Sequence, residues 1–137
     1  MLKNGDFHAL DRQTCLRLLA DVPVGRIVYT KQALPAVLPV NFCLDTDFSV
    51  VLLTSGGSDL VRAVDGAVVA FEADAFDTIA RSGWGVVVTG RATLVTDAAE
   101  HARLARCGLD SWMPSGRDGK FVRIESDVVT GRRLGGA

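Results

Sequence analysis

Pro39-Val40-Asn41-Phe42, followed after a polar turn by Val50-Val51-Leu52-Leu53 and then by Thr54-Ser55-Gly56-Gly57-Ser58, leads into an amphipathic segment that reaches Arg62. The order reads as strand, hairpin, strand, Gly-rich turn and helix start. Such an arrangement gathers hydroxyls and backbone N–H groups where a phosphate can sit. Arg62, one turn beyond Asp59, either reaches toward such a phosphate or pairs with Asp59 on a solvated face.

Upstream of this stretch, Cys15, Leu16, Leu18 and Leu19 recur at helical spacing, which predicts a short helix from about Asp11 to Ala20 with Asp11 as N-cap. Gly25 to Thr30 alternates as a strand, Lys31-Gln32-Ala33-Leu34 turns, and Ala36 to Leu44 forms the next strand. Pro35 and Pro39 place that strand near an edge or bulge. Phe48 to Thr54 is the third strand, in antiparallel succession.

Downstream, Ser58 is a candidate cap for a helix that buries Leu60, Val61 and Val64 and stops at Asp65-Gly66. Val68 to Glu72 is a fourth strand, and a loop is expected from about Asp74 to Ser82. Trp84 to Val95 reads as one long strand in which Gly85 and Gly90 permit bends. Asp97 and Glu100 form a capping-box pattern for a helix from Ala98 to about Leu109. Lys120 to Glu125 is the last strand, followed by a tail from Val129 to Leu134.

About six strands with short helices between them, and no alternation of strand and helix, predict a mainly β fold: a small antiparallel barrel with short α insertions. At 137 residues the chain suits a single domain over 1–137, with residues 1–10 as an N-terminal arm. A net charge of -1 with both signs scattered argues against a nucleic-acid partner, which needs a concentrated basic face. No apolar run is long enough to span a membrane and no signal core begins the chain, so the expected location is the cytoplasm. Cys15, Cys43 and Cys107 are odd in number and far apart in sequence, so inert thiols are expected rather than a disulfide framework or CxxC pair. His8 and His101 are isolated, and no metal site is expected.

Read together, Val24-Gly25-Arg26, Pro39-Val40-Asn41, Thr54 with its Gly turn, Ala70-Phe71-Glu72-Ala73-Asp74, Gly83 to Ala92 and Thr130-Gly131-Arg132-Arg133 form an ordered set. The set resembles the pyridoxamine 5'-phosphate oxidase-like family of FMN-binding split barrels, in its small actinobacterial type. The resemblance implies a split antiparallel β-barrel, a homodimer, and flavin clefts between subunits. By position it implies that Thr54, Ser55, Ser58 and Asp59 face the cofactor phosphate, with Leu60 also among the cofactor-binding residues. Pro39, Val40 and Asn41 would lie beside the ring, and Trp84 near the cofactor or the dimer contact.

The chain departs from that pattern at two positions. Leu53 and Asp59 stand where relatives that hold FMN firmly carry arginine and lysine. Losing two charge-assisted contacts corresponds to roughly two to four decades of affinity. The activity the resemblance implies is that of an FMN-dependent oxidoreductase acting on a small molecule. The alternatives are a barrel that has lost tight flavin binding and serves as a ligand-binding module, or a deazaflavin-dependent reductase.

No Ser/His/Asp set or activated cysteine stands out, so no catalytic residue is named and a cofactor would carry any chemistry. Trp84 is more readily core or interface filling than a ring-stacking residue, and Glu72 with Asp74 form a candidate carboxylate pair that reads more readily as solvated strand-end residues. Arg132 and Arg133 either reach an acidic ligand group or remain on the surface.

Overall fold

The computed structural model describes residues 7–55, 59–109 and 119–135. Its elements in chain order are β1 (Phe7–Leu10), α1 (Arg12–Leu19), β2 (Val24–Lys31), β3 (Leu34–Leu44), β4 (Val50–Ser55), α2 (Asp59–Val64), β5 (Val68–Asp77), β6 (Ser82–Leu94), α3 (Ala98–Leu104), β7 (Gly119–Ile124) and β8 (Val128–Leu134). All strand pairs are antiparallel. Six strands close in the order β6-β5-β2-β3-β4-β7 and back to β6, while β8 and β1 extend the sheet from the other edge of β6. The fold is a split antiparallel β-barrel.

The split is visible along single strands. β6 pairs β8 from Gly83 to Thr89, then pairs β7 from Ala92 to Leu94. Gly90 sits at the exchange, and a Cβ there would collide with the Glu125 carbonyl, so the chain can cross from one partner to the next only without a side chain. β3 behaves similarly: it pairs β2 from Leu34 to Asn41, but reaches β4 only at Phe42, Cys43 and Leu44. Pro35 and Pro39 thus lie where β3 has no second partner strand, the position a residue without an N–H tolerates.

Local chemistry explains the connections. Gln32 and Ala33 both have positive φ, the two-residue hairpin geometry that matches strand twist. Asp11 caps α1 by accepting from Thr14 N at 2.8 Å, and Asp97 caps α3 by accepting from Glu100 N at 2.9 Å. α1 buries Cys15, Leu16 and Leu19 in the barrel core with Ile27, Phe42, Leu52, Phe71, Val86 and Val122. A second, smaller cluster of Val51, Leu53, Leu104, Leu109 and Phe121 lies under α3.

Several expectations are corrected. The loop expected from Asp74 to Ser82 is a continuation of β5 into a tight hairpin, because Asp77 Oδ1 accepts from Ile79 N and Ala80 N at 2.9 and 3.0 Å and closes the turn itself. The tail from Val129 is β8, a strand between β1 and β6. Phe7–Leu10, read as part of an arm, pair with Gly131 to Leu134. α3 stops at Leu104 rather than Leu109. Residues five apart point about 140° away from one another on a helix, so burying both Leu104 and Leu109 requires the turn that Gly108 makes at φ +85°.

Cys43 and Cys107, distant in sequence, are neighbours in space with Sγ atoms 3.3 Å apart.

Candidate functional site

The register carries β3 and β4 apart at the residues of interest. The ladder ends at Phe42 opposite Leu52, so Pro39, Val40 and Asn41 run along one side of the opening and Leu53, Thr54 and Ser55 along the other. β4 stays tied to β7 through Ser55, which keeps its end fixed while β3 follows β2. The seam of the barrel therefore opens between these two triplets.

Side chains alternate across that seam. Val40 is buried in the main core together with Leu60 of α2, whereas Pro39 is exposed on the outer face opposite Arg26. Asn41 is half-buried, and its Nδ2 donates to the Pro23 carbonyl at 3.4 Å. Thr54 is buried and Ser55 is exposed. Ser58 lies outside the described residues. Trp84 fills the barrel interior in the same cluster as Val40 and Leu60.

Asp59, exposed at the start of α2, accepts from Lys31 Nζ at the end of β2 and from Arg62 Nη2, both at 3.2 Å. These partners hold its carboxyl below the usual range, the Lys31 hydrogen bond most of all. One carboxylate thus stands between two cations. The spacing of Asp59 and Arg62 along one helix face shows this pairing in the sequence, whereas Lys31 does not show, since its approach depends on α2 packing over β2. Leu53 points away from the opening into the cluster under α3.

A second feature occupies the outer face of the sheet. Arg26 Nη1 lies 3.0 Å from Glu72 Oε1 and 3.5 Å from Asp74 Oδ2. Burial first, then the neighbouring Asp74 carboxyl, pushes Glu72 up to about 7 against the opposing pull of Arg26. Glu72 borders a cleft of about 570 Å³ shared with Phe7, Phe76, Val87, Thr130 and Arg132. The Arg132 guanidinium stands 4.9 Å over the Phe7 ring. The spacing of Glu72 and Asp74 was legible in sequence; their shared cation was not, because it comes through the β2–β5 register.

The family model described as pyridoxamine 5'-phosphate oxidase matches residues 11–133. The chain belongs to the pyridoxamine 5'-phosphate oxidase-like family. Within that family it is 47% identical over 130 residues to the uncharacterized protein Rv0080 of Mycobacterium tuberculosis, covering 91% of this chain and 84% of the relative. Among solved structures it is similar to the FAD binding protein from Mycobacterium smegmatis at 35% identity and a TM-score of 0.80, covering 93% of this chain and 99% of that one. It is also similar to a conserved protein of unknown function, DIP1874, from Corynebacterium diphtheriae, at 32% identity and a TM-score of 0.79, covering 94% and 98%.

In this member of the pyridoxamine 5'-phosphate oxidase-like family the described residues singled out in sequence come from β3, the end of β4 and the start of α2, with Trp84 from β6. Among the described residues no group of His, Cys, Asp and Glu is arranged to hold a metal ion. No helix among them is long and apolar enough to cross a membrane.

Proposed function

We propose that this chain binds a flavin at the opening between β3 and β4 and works as a homodimeric oxidoreductase on a small molecule. The observation that carries the reading is the parting of β3 and β4 at Asn41 and Leu53, with Lys31 and Arg62 at one end. The residues fit a flavin phosphate in chemistry: Ser55 brings an exposed hydroxyl, and the two cations outnumber Asp59. Pro39 to Asn41 would border the ring, with Val40 and Leu60 forming an apolar floor. Ser58 belongs to the same proposed phosphate turn, and Trp84 supports the floor from within the barrel.

A bound flavin supplies two-electron transfer, which none of the described side chains lining the opening offers. The work of the chain is then to hold the ring, exclude water and position the substrate. Lys31 and Arg62 would neutralise phosphate charge; Val40 and Leu60 would keep one side dry. Glu72, titrating near neutrality beside an open cleft, is the group able to hold or release a proton at its carboxyl oxygen.

The dimer reading rests on the outer sheet face. Val37, Val68, Val87 and Val128 are exposed there, and Phe7 and Phe76 border the cleft on the same face. Exposed valines and phenylalanines interleaved with the Arg26–Glu72–Asp74 cluster and Arg132 make a mixed face, apolar with polar groups among it, of the kind protein interfaces use. A second copy would cover it.

FMN is the cofactor the sequence resemblance implies, and FAD is the one named for the M. smegmatis relative. The longer FAD, or a deazaflavin with its acidic tail, would extend beyond the phosphate end toward Lys31. The visible spectrum of the purified protein, with calorimetric titration by FMN, FAD and a deazaflavin, tests the reading. Flavin absorption bands and saturable binding are expected. Colourless protein that binds none of the three at high micromolar concentration would refute it, leaving a ligand-binding barrel without a flavin.

A further inference from the structure

Cys43 lies on β3 and Cys107 in the turn that ends α3, 64 residues later, yet their Sγ atoms are 3.3 Å apart and the Cys43 thiol donates to Cys107 Sγ. Both are free thiols. A disulfide needs its sulfurs at about 2.05 Å, so little more than about 1 Å of approach separates contact from a bond. The proximity is set by packing. Cys43 packs against the cluster that contains Leu104 and Leu109, and these two buried leucines flank Cys107 and fix the turn over β3. The Cys107 N–H donates to the Leu104 carbonyl at 3.0 Å, which tightens the same turn.

We propose that Cys43 and Cys107 form a dithiol that a hydroperoxide converts reversibly into an intramolecular disulfide. The two thiols have different parts. Cys107 is exposed and meets the oxidant; Cys43 is half-buried beneath it. Burial, and then the contact with Cys107, pushes the Cys43 thiol up to about 12, which argues against Cys43 meeting the peroxide first; its contact with Cys107 Sγ places it to attack second.

Cys107 Sγ, as thiolate, attacks one oxygen of hydrogen peroxide; the O–O bond breaks, and the departing hydroxide takes a proton to become water. The product is a sulfenic acid on Cys107. Cys43 sulfur then attacks that sulfur, the S–O bond breaks, and the hydroxide released takes up the Cys43 proton as a second water. In sum, two thiols and one peroxide give one disulfide and two waters, the sulfurs losing two electrons and the peroxide gaining them.

The bond would tie the end of α3 to β3 two residues after Asn41. It would also close a long loop in the unfolded chain, so the oxidised form should melt higher. Cys15 is an internal control: it is buried in the barrel core, where its thiol points to the Leu10 carbonyl.

The test uses the full-length, fully reduced protein. It is exposed to a few equivalents of hydrogen peroxide, then alkylated and mapped by mass spectrometry. Expected are a crosslinked Cys43–Cys107 peptide, loss of two alkylation sites in the monomeric chain, reversal by dithiothreitol, and a melting temperature raised by at least about 5 °C. In Cys43→Ser, dimedone should label Cys107; in Cys107→Ser, Cys43 should stay unlabelled. Crosslinks between chains, sulfinic acid on Cys107 without the internal crosslink, or thiols left intact while the peroxide is consumed would overturn the proposal. Equal dimedone labelling of Cys43 in Cys107→Ser would overturn the assigned order of attack.

Discussion

Lys31 Nζ donates to Asp59 Oδ2 at 3.2 Å, joining the last residue of β2 to the first residue of α2. The acid at the helix start is thus held by a cation from another strand, with Arg62 on its other oxygen. This contact changes the meaning of Asp59. In sequence it is a repulsive residue at the proposed phosphate turn; in the fold it is a tether that holds Lys31 and Arg62 beside the start of α2.

Replacing Asp59 by lysine should free Lys31 and Arg62 and add a third positive charge. Flavin affinity in calorimetry is expected to rise at least about tenfold, as charge-assisted contacts to phosphate require. Unchanged affinity would mean that the phosphate does not sit there. Leu53→Arg is a poor companion change, since Leu53 is buried under α3 and the guanidinium would lose solvent without gaining a partner.

Glu72 carries a pH dependence of defined sign. Its folded value of about 7 lies above the ordinary 4.5, so between those values the folded chain holds a proton that the unfolded chain has released. Stability from this group is full below about pH 4.5 and is lost as pH rises through about 7. Glu72→Gln should flatten that decline, by on the order of 1–2 kcal/mol between pH 5 and 8 once solvent screening is allowed for. Urea midpoints of the two proteins across this range check it, and parallel curves would remove Glu72 as the titrating group.

Asp45 is the hub of the opposite case. Its nearly buried carboxylate lies 2.7 Å from Arg103 and 2.8 Å from Arg123, and the Arg103 hydrogen bond above all holds it well below the usual carboxylate range. Asp45→Ala removes the carboxylate that Arg103 grips with two hydrogen bonds, leaves Arg123 to Glu100, Asp47 and Ser49, and should cost about 1.5–3 kcal/mol in denaturant unfolding. The contribution of Asp45 is present above about pH 4 and lost as pH falls, so the variant and the parent should converge in acid. A constant difference down to pH 2 would contradict the assignment.

Gly90 tests the barrel itself. A methyl group there meets the Glu125 carbonyl where β6 exchanges β8 for β7. Gly90→Ala should lower stability by about 3 kcal/mol or more, the scale of a backbone displacement in a packed sheet. Gly85, whose added Cβ would find only the Asp74 side chain at 3.9 Å, should accept alanine with little change in melting temperature.

Much of this architecture was legible in the chain. Asp11 and Asp97 announce their helices because a cap is a local bond, and Pro39 marks an open strand edge because a missing N–H is a local fact. What escaped was set by register. β8 looks like a tail because its outward residues are Thr130 and Arg132, and only the partners on both sides make it a strand. The hairpin at Asp77 looks like a loop because its turn is closed by a side chain. Lys31 with Asp59, Arg26 with Glu72, and Cys43 with Cys107 each join distant segments, and no spacing rule along the sequence reports such pairs.

A flavin bound as proposed would occupy the opening between β3 and β4. Backbone amide chemical shifts of the isotope-labelled protein, followed as FMN or FAD is added, test it residue by residue. Saturable shifts are predicted at Lys31, Val40, Asn41, Thr54 and Ser55, with Asp97 and Glu100 at the start of α3 unmoved. Shifts confined to the α3 side, or none at millimolar flavin, would contradict it.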